Sequence, residues 1–196
     1  MLDKLLYSKI VLRNISIMSG IKIGTHNGAF HCDEVLACSM LKLLPTFKDA
    51  VIIRSRDPKV LETCDIVADV GGIFDPSTNR YDHHQKTFNE TMASLNMGKW
   101  ITKLSSAGLI YAHFGKDVIA QVVDTNDEQL IHRIYEKVYE KFIEEIDAVD
   151  NGISTHDATP RYHGKLLLSL SVYSCNQIFV FETIKILQYN HINYDF

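Results

Sequence analysis

From Ile21 onward the chain alternates short apolar runs with polar loops and helical stretches, and this alternation restricts it to an α/β architecture more sharply than any other feature. IKIGT (21–25) reads as a strand, HNGAFHCD as the loop after it, and EVLACSMLKLLP as a helix. In that helix Val35, Leu36, Met40, Leu43 and Leu44 recur near helical spacing, and Pro45 ends it. VIIRSR (51–56) and DIVADV (65–70) read as two further strands. After Gly71-Gly72 the run IFDPSTNRYDHH has the turn chemistry of a hairpin or tight loop, which leaves Asp82, His83 and His84 at an element end. Ser105 and Ser106 can cap a helix through Phe114. A longer helix is expected from about Asp127 to Val149, with Leu130, Ile134, Val138, Phe142 and Ile146 as its core stripe and Asn151-Gly152 as its stop. The expected fold class is α/β, a mostly parallel sheet flanked by helices.

The alternation covers residues 21–163, a length that suits one domain with a real core. Apolar residues make up 46% of the 196-residue chain and charged residues 22%, as in ordinary globular proteins. Residues 1–20 form an extension with Lys4, Lys9 and Arg13 against Asp3. It reads equally as a mitochondrial presequence or as an untidy extension with Met18 as an alternative start. Residues 164–196 change character: charges are sparse, Ile, Phe, Tyr and Asn abound, and no clean period emerges. No apolar run is long enough to suggest a membrane span. The four cysteines lack zinc-site pairing and disulfide-scaffold density, which favours a reducing compartment. The formal net charge of -4, without a Lys/Arg block, disfavours wrapping duplex DNA, so a nucleic-acid substrate would have to be drawn in locally.

The candidate chemistry lies in four clusters: His26, His31 and Asp33; Asp69; Asp82, His83 and His84; and Asp150. Three of these fall at the carboxyl ends of expected strands or in the loops after them, where open α/β sheets place their ligand crevice. Asp150, at a helix end, can close it. A single His or Asp in such a place is more often a cap or a surface group, but the shared placement argues for a metal site. Carboxylates suit Mg²⁺ and Mn²⁺, and imidazole shifts the preference toward Mn²⁺ and other transition metals. Three carboxylates, Asp33, Asp69 and Asp150, against two divalent cations leave about +1, which attracts phosphate to an acidic chain. Two such ions roughly 3.5 to 4 Å apart can activate a hydroxide and neutralise phosphoryl oxygens. Arg54 and Arg56, after the second strand, could meet substrate phosphates, and Ser105 and Ser106 could bind an anion at a helix start; a solvated strand end and plain capping explain them equally well. Cys32 reads as packing.

IGTHNGAFHCDEVLACSMLKLLP, VADVGG, RYDHHQKTF, KLSSAGLIYAHFG and EEIDAVDNGI, in this order, closely resemble the melanocyte proliferating gene family (Myg-type exonucleases) of the DHH phosphoesterase superfamily, over about residues 21–162. The resemblance implies a Rossmann-like DHH domain and 3′-to-5′ exonuclease action on RNA. It implies one ion held by His26, His31 and Asp69 and another by Asp33, Asp69, His83 and Asp150, with Asp69 shared. Asp82 would orient a neighbouring ligand and His84 would face the scissile phosphate. The superfamily more often has Asp where His31 stands. It also continues past the point where this chain ends, so a C-terminal truncation is expected, with 164–196 in place of a second domain. Mitochondrion and nucleus are the compartments the resemblance suggests. Two other functions fit the residues: hydrolysis of small phosphoesters, pyrophosphate or short oligonucleotides, and metal or partner binding without turnover.

Overall fold

The computed structural model describes residues 20–154 together with Phe181, Ile184 and Lys185. The expected segments at 1–20 and 164–196 therefore lie outside the described residues, apart from Gly20 and those last three. A five-stranded sheet is built from β1 (Lys22–Thr25), β2 (Val51–Arg54), β3 (Ile66–Ala68), β4 (Phe74–Asp75) and β5 (Arg80–Tyr81) in the order β2-β1-β3-β5-β4. β1 pairs in parallel with β2 from Lys22 opposite Val51 to Thr25 opposite Arg54, and with β3 through Ile23 opposite Ile66. β5 runs parallel to β3 and antiparallel to β4, the two joined by a 3-10 turn at Pro76–Thr78. The α/β class holds, and IFDPSTNRY is a hairpin. The chain leaves β1 to one side for β2 and returns on the other side for β3. The carboxyl ends of β1 and β3 thus flank a reversal in strand order, the place where an α/β sheet opens a crevice.

Within residues 20–154 the α-helices are α1 (Cys32–Leu43), the short α2 (Pro58–Leu61), α3 (Ser106–Val123), α4 (Glu128–Val138) and α5 (Glu144–Asp150). α1 starts two residues earlier than the hydrophobic pattern suggests, so Asp33 and Glu34 sit in its first turn, where the helix dipole favours carboxylates. α3 runs on to Val123, well past Phe114. The long helix expected at 127–149 is broken: α4 gives way to one π-helical turn at Tyr139–Ile143 before α5 resumes. The extra residue in that turn rotates the buried face. Ile131, Ile134, Tyr135, Val138, Tyr139, Ile143, Ile146 and Asp147 face inward, whereas Leu130 and Phe142 of the expected stripe only flank the core.

Strand alternation divides the sheet's two sides. Ile23, Ile66, Ala68 and Tyr81 join α1, α3, α4 and α5 in the main core, which also takes in Ile184. Val67 points the other way, into a small cluster with Leu61 of α2 and Cys64. Gly24 lies on that second side, where a methyl group would crowd Cys64 Sγ and Val67 Cγ2 at 3.0 and 3.1 Å. Among the described residues no helix is long and apolar enough to cross a membrane.

Candidate metal centre

His26 directly follows β1 and is buried. Its loop is held by Arg54, at the end of β2, which donates through Nε to the His26 carbonyl (3.0 Å) and through Nη2 to the Gly28 carbonyl (2.8 Å). The Gly28 N–H donates to His26 Nδ1 at 3.1 Å, and Nε2 lies 3.3 Å from Asp69 Oδ2 and 3.4 Å from Glu34 Oε1 without a well-formed hydrogen bond. Burial, with Arg56 next, pushes the His26 pKa down to about 4, so the ring is neutral at pH 7, the form that ligates metals. His31, at the start of α1 and exposed, places its ring 5.4 Å from that of His26. Its backbone N–H donates to both carboxylate oxygens of Glu34, at 2.9 and 2.7 Å. His26, His31, Glu34 and Asp69 can each turn one donor atom into a common site.

Asp69 follows β3 in the left-handed region, with φ of 61°. A non-glycine residue held there usually marks local strain of about 1–3 kcal/mol that the surroundings impose. Here the Asp69 N–H is pinned to the Tyr81 carbonyl at 3.1 Å, and Gly71 and Gly72, both at positive φ, turn the chain away. The conformation sends the carboxylate between two groups of donors. Oδ2 faces His26, whereas Oδ1 accepts from Ser106 Oγ at 3.2 Å and lies 3.5 Å from His84 Nδ1 and 3.7 Å from His83 Nδ1.

The DHH run begins where β5 ends. Asp82 is buried, and its Oδ2 accepts the Gly72 N–H at 2.6 Å. Its Oδ1 holds His84 Nδ1 at 2.6 Å and accepts the His84 N–H at 3.1 Å. That contact pushes the His84 pKa up to about 9, so this largely exposed ring is a cation at pH 7 with Nε2–H left to offer. His83 is buried, with Nδ1 3.0 Å from Ser106 Oγ. Because Ser106 donates its single proton to Asp69, its oxygen accepts from His83 Nδ1–H. The other ring nitrogen, Nε2, lies 2.9 Å from Asp150 Oδ2. A hydrogen bond at the far ring nitrogen is the usual means of fixing a ligating tautomer.

Asp33, His83 and Asp150 form a further donor set. Asp33 is 1% exposed, and neither of its carboxylate oxygens has a hydrogen-bond partner. A buried, unsatisfied carboxylate is costly unless a cation completes it. This arrangement fits a divalent metal, and hard oxygen donors beside imidazoles suit one chemically. Burial, and then the Asp69 and Asp150 charges, hold the Asp33 pKa far above the usual carboxylate range; Asp69 is also raised, burial again being the largest cause. Glu34 is pushed up to about 7 by burial and by Asp33.

His26, His31, Asp33, Asp69, Asp82, His83, His84 and Asp150 are thus brought to one crevice from four separate stretches of chain. The residues expected to meet substrate already have partners within the chain. Arg54 braces the His26 loop, and Arg56 donates to Asn27 Oδ1 at 2.8 Å. Ser105 and Ser106 are completely buried, and of the backbone amides expected to bind an anion at this helix start, those of Ser105 and Gly108 already donate to Asp147 Oδ1. Ser106 serves Asp69 and His83, while Ser105 donates from N and Oγ to Asp147 Oδ1 at 2.9 and 2.7 Å. Two acidic residues escaped the sequence reading. Glu34 could be found as the acid three residues after the cap of α1. Asp147 shares a helix face with Ile143, Ile146 and Asp150, an acid inside an apolar stripe. It also accepts from the Gly108 N–H at 3.1 Å and Tyr139 Oη at 2.9 Å, and burial pushes its pKa up to about 7.

A mostly parallel α/β sheet with His and Asp donors converging at its switch point defines an α/β protein whose crevice could hold divalent metal. Comparison makes this specific: residues 22–190 match the sequence profile of the MYG1 exonuclease family, described as "Uncharacterised protein family (UPF0160)", and the chain belongs to that family. The match runs well beyond residue 162, into the segment set apart above as unlike the family. The chain is 56% identical over 163 residues to the human MYG1 exonuclease, covering 82% of this chain and 43% of the human one. It is 57% identical over 148 residues to the MYG1 protein of Caenorhabditis elegans (75% and 44%), and 48% identical over 136 residues to that of Saccharomyces cerevisiae (69% and 39%). The chain therefore spans less than half the length of these curated relatives. No solved structure matches it.

Proposed function

We propose that this chain carries the metal-binding half of a phosphodiesterase that removes nucleotides from RNA in the 3′-to-5′ direction with two divalent cations, Mn²⁺ suiting the donor set best. The observation that carries the reading is the split Asp69 carboxylate, one oxygen toward His26 and the other toward Ser106, His83 and His84. His26, His31, Glu34 and Asp69 would hold one cation, and Asp33, His83 and Asp150 the second, with Asp69 reaching both. Bound there, the cations supply a water of lowered pKa as nucleophile and charge to offset the phosphoryl oxygens. His84, kept protonated by Asp82, offers a cationic N–H to the scissile phosphate or its leaving oxygen. The names of the 55–56% identical mammalian relatives, MYG1 exonucleases, support nuclease chemistry.

The test pairs Mn²⁺ calorimetry with cleavage of 5′-labelled single-stranded RNA. Two ions per chain and a descending ladder of labelled products are expected. Asp69→Asn should lower both stoichiometry and cleavage. Two bound ions with no cleavage of RNA, short oligonucleotides or pyrophosphate would instead establish a metal-binding chain without turnover.

A further inference from the structure

Beside the metal cluster an open groove of about 290 Å³ runs between α1 and the β1–β2 edge, lined by Thr25, Phe30, Glu34, Val35, Ile52 and Arg54 among others. Resting on the reading above, we propose that this groove is the seat of a nucleobase, that of the nucleotide whose phosphate lies at the metal cluster. Three observations point to this occupant. Phe30 is 59% exposed, unusual for so large an apolar side chain, and the Arg54 guanidinium covers one ring face at 3.7 Å from the centroid. One face is thereby stiffened and the other is left for a stacking partner. Arg54 cannot swing away, because its hydrogen bonds to the His26 and Gly28 carbonyls fix it. A fixed aromatic ring backed by arginine is the platform on which single-stranded bases stack.

The second observation is Thr25, which belongs to the groove wall and whose buried hydroxyl has no hydrogen-bond partner. Buried hydroxyls are rarely left so, and a base edge or ribose oxygen entering the groove would satisfy this one. The third is continuity. Glu34 belongs both to the groove wall and to the His26 donor set, so a ligand seated here abuts the metals with its sugar-phosphate end. The volume lies near the lower end for small-molecule sites, which suits one nucleoside and excludes a duplex. Stacking reads a π-face, so the site would accept all four bases.

The test measures binding of adenosine 5′-monophosphate and of ribose 5-phosphate, the same phosphate without a base, to the Mn²⁺-loaded chain by calorimetry. Wild type should prefer the nucleotide at least tenfold. Phe30→Ala should erase most of that preference and leave ribose 5-phosphate unaffected, while Phe30→Trp keeps it. Thr25→Val, an isostere without the hydroxyl, should weaken the nucleotide alone by about threefold to tenfold. Equal affinity for the two probes in wild type, or a Phe30→Ala chain that loses both equally or neither, overturns the proposal. If base preference behaves as stated yet RNA is not cleaved, the groove stands and the nuclease reading falls.

Discussion

Gly108, in the first turn of α3, lies against Asp147, and a Cβ built on it would overlap both carboxylate oxygens. From helix propensity alone, Gly108→Ala should stabilise the protein by about 1 kcal/mol. The structure predicts the opposite sign. Overpacking a tight site costs about 1–3 kcal/mol. To make room Asp147 must also give up hydrogen bonds from Gly108, Ser105 or Tyr139, and each bond to a charged group is worth about 1.5–3 kcal/mol. Losing one of them and accepting the overlap, less the propensity gain, leaves a net loss of about 2–4 kcal/mol. At roughly 2–4 °C per kcal/mol for a chain of this size, Tm should fall by about 5–15 °C in thermal unfolding followed by circular dichroism. The damage should also reach the metal centre, because Asp147 holds Ser105 and the neighbouring Ser106 holds Asp69 and His83. Weaker Mn²⁺ binding is therefore expected in the same variant. A Gly108→Ala chain as stable as wild type, or more so, would refute the reasoning.

Asp33→Asn should raise the Tm of the metal-free protein by removing a buried carboxyl without hydrogen-bond partners, and should abolish one of the two proposed Mn²⁺ sites; a loss of stability without metal would argue against the site. Folded-state pKa values above the unfolded ones at Asp33, Glu34, Asp69 and Asp147 mean that the native state binds more protons in this window, so metal-free stability should decline from about pH 5 to pH 8. His26, held down to about 4, opposes this below pH 6.5 but is one group against several, and a denaturation midpoint that rises over the range would contradict the assignment. Asp82→Asn should return the His84 pKa from about 9 toward 6.5, read from ring-proton chemical shifts in the metal-free protein. Ser106→Ala should weaken Mn²⁺ binding by about tenfold or more, as loss of a ligand-orienting partner does, and unchanged affinity would remove Ser106 from its assigned role.

Much of this site was legible because the chain punctuates it. IKIGT followed by HNGAFHCD, and the turn residues before Tyr81, locate the ends of β1 and β5, and the donors that follow those ends cannot be far from the crevice. What escaped depends on partners distant in sequence. Arg54 looks like a phosphate ligand until β2 pairs with β1 and brings it to the carbonyls of the His26 loop. Ser105 and Asp147 are 42 residues apart, and nothing local in KLSSAG announces an acid at the helix start. The π turn at Tyr139–Ile143 was hidden by an apolar residue at every fourth position, which a continuous helix would satisfy equally well. The inward placement of Tyr139 and Asp147 selects the bulged register.

The crevice shows why such a cluster is placed at a switch point and not on a surface. Its donors come from α1 and α5 and from the residues that directly follow β1, β3 and β5, and burial makes Asp33, Glu34 and Asp69 harder to ionise than in water. Without a cation the folded state is therefore penalised at neutral pH, most plainly at Asp33, whose carboxylate oxygens have no hydrogen-bond partner. A divalent ion removes that penalty only if the donors are already held in place. The structure holds them independently of any ion: Gly72 and the His84 backbone fix Asp82, Ser106 fixes Asp69 and His83, and the Asp147 network fixes the start of α3. Metal binding must then release protons, since the carboxylates can ligate only after losing them, and affinity should steepen with pH over the same interval in which the metal-free fold weakens. If Mn²⁺ affinity is instead flat between pH 5.5 and 8, these carboxylates are not the groups that receive it.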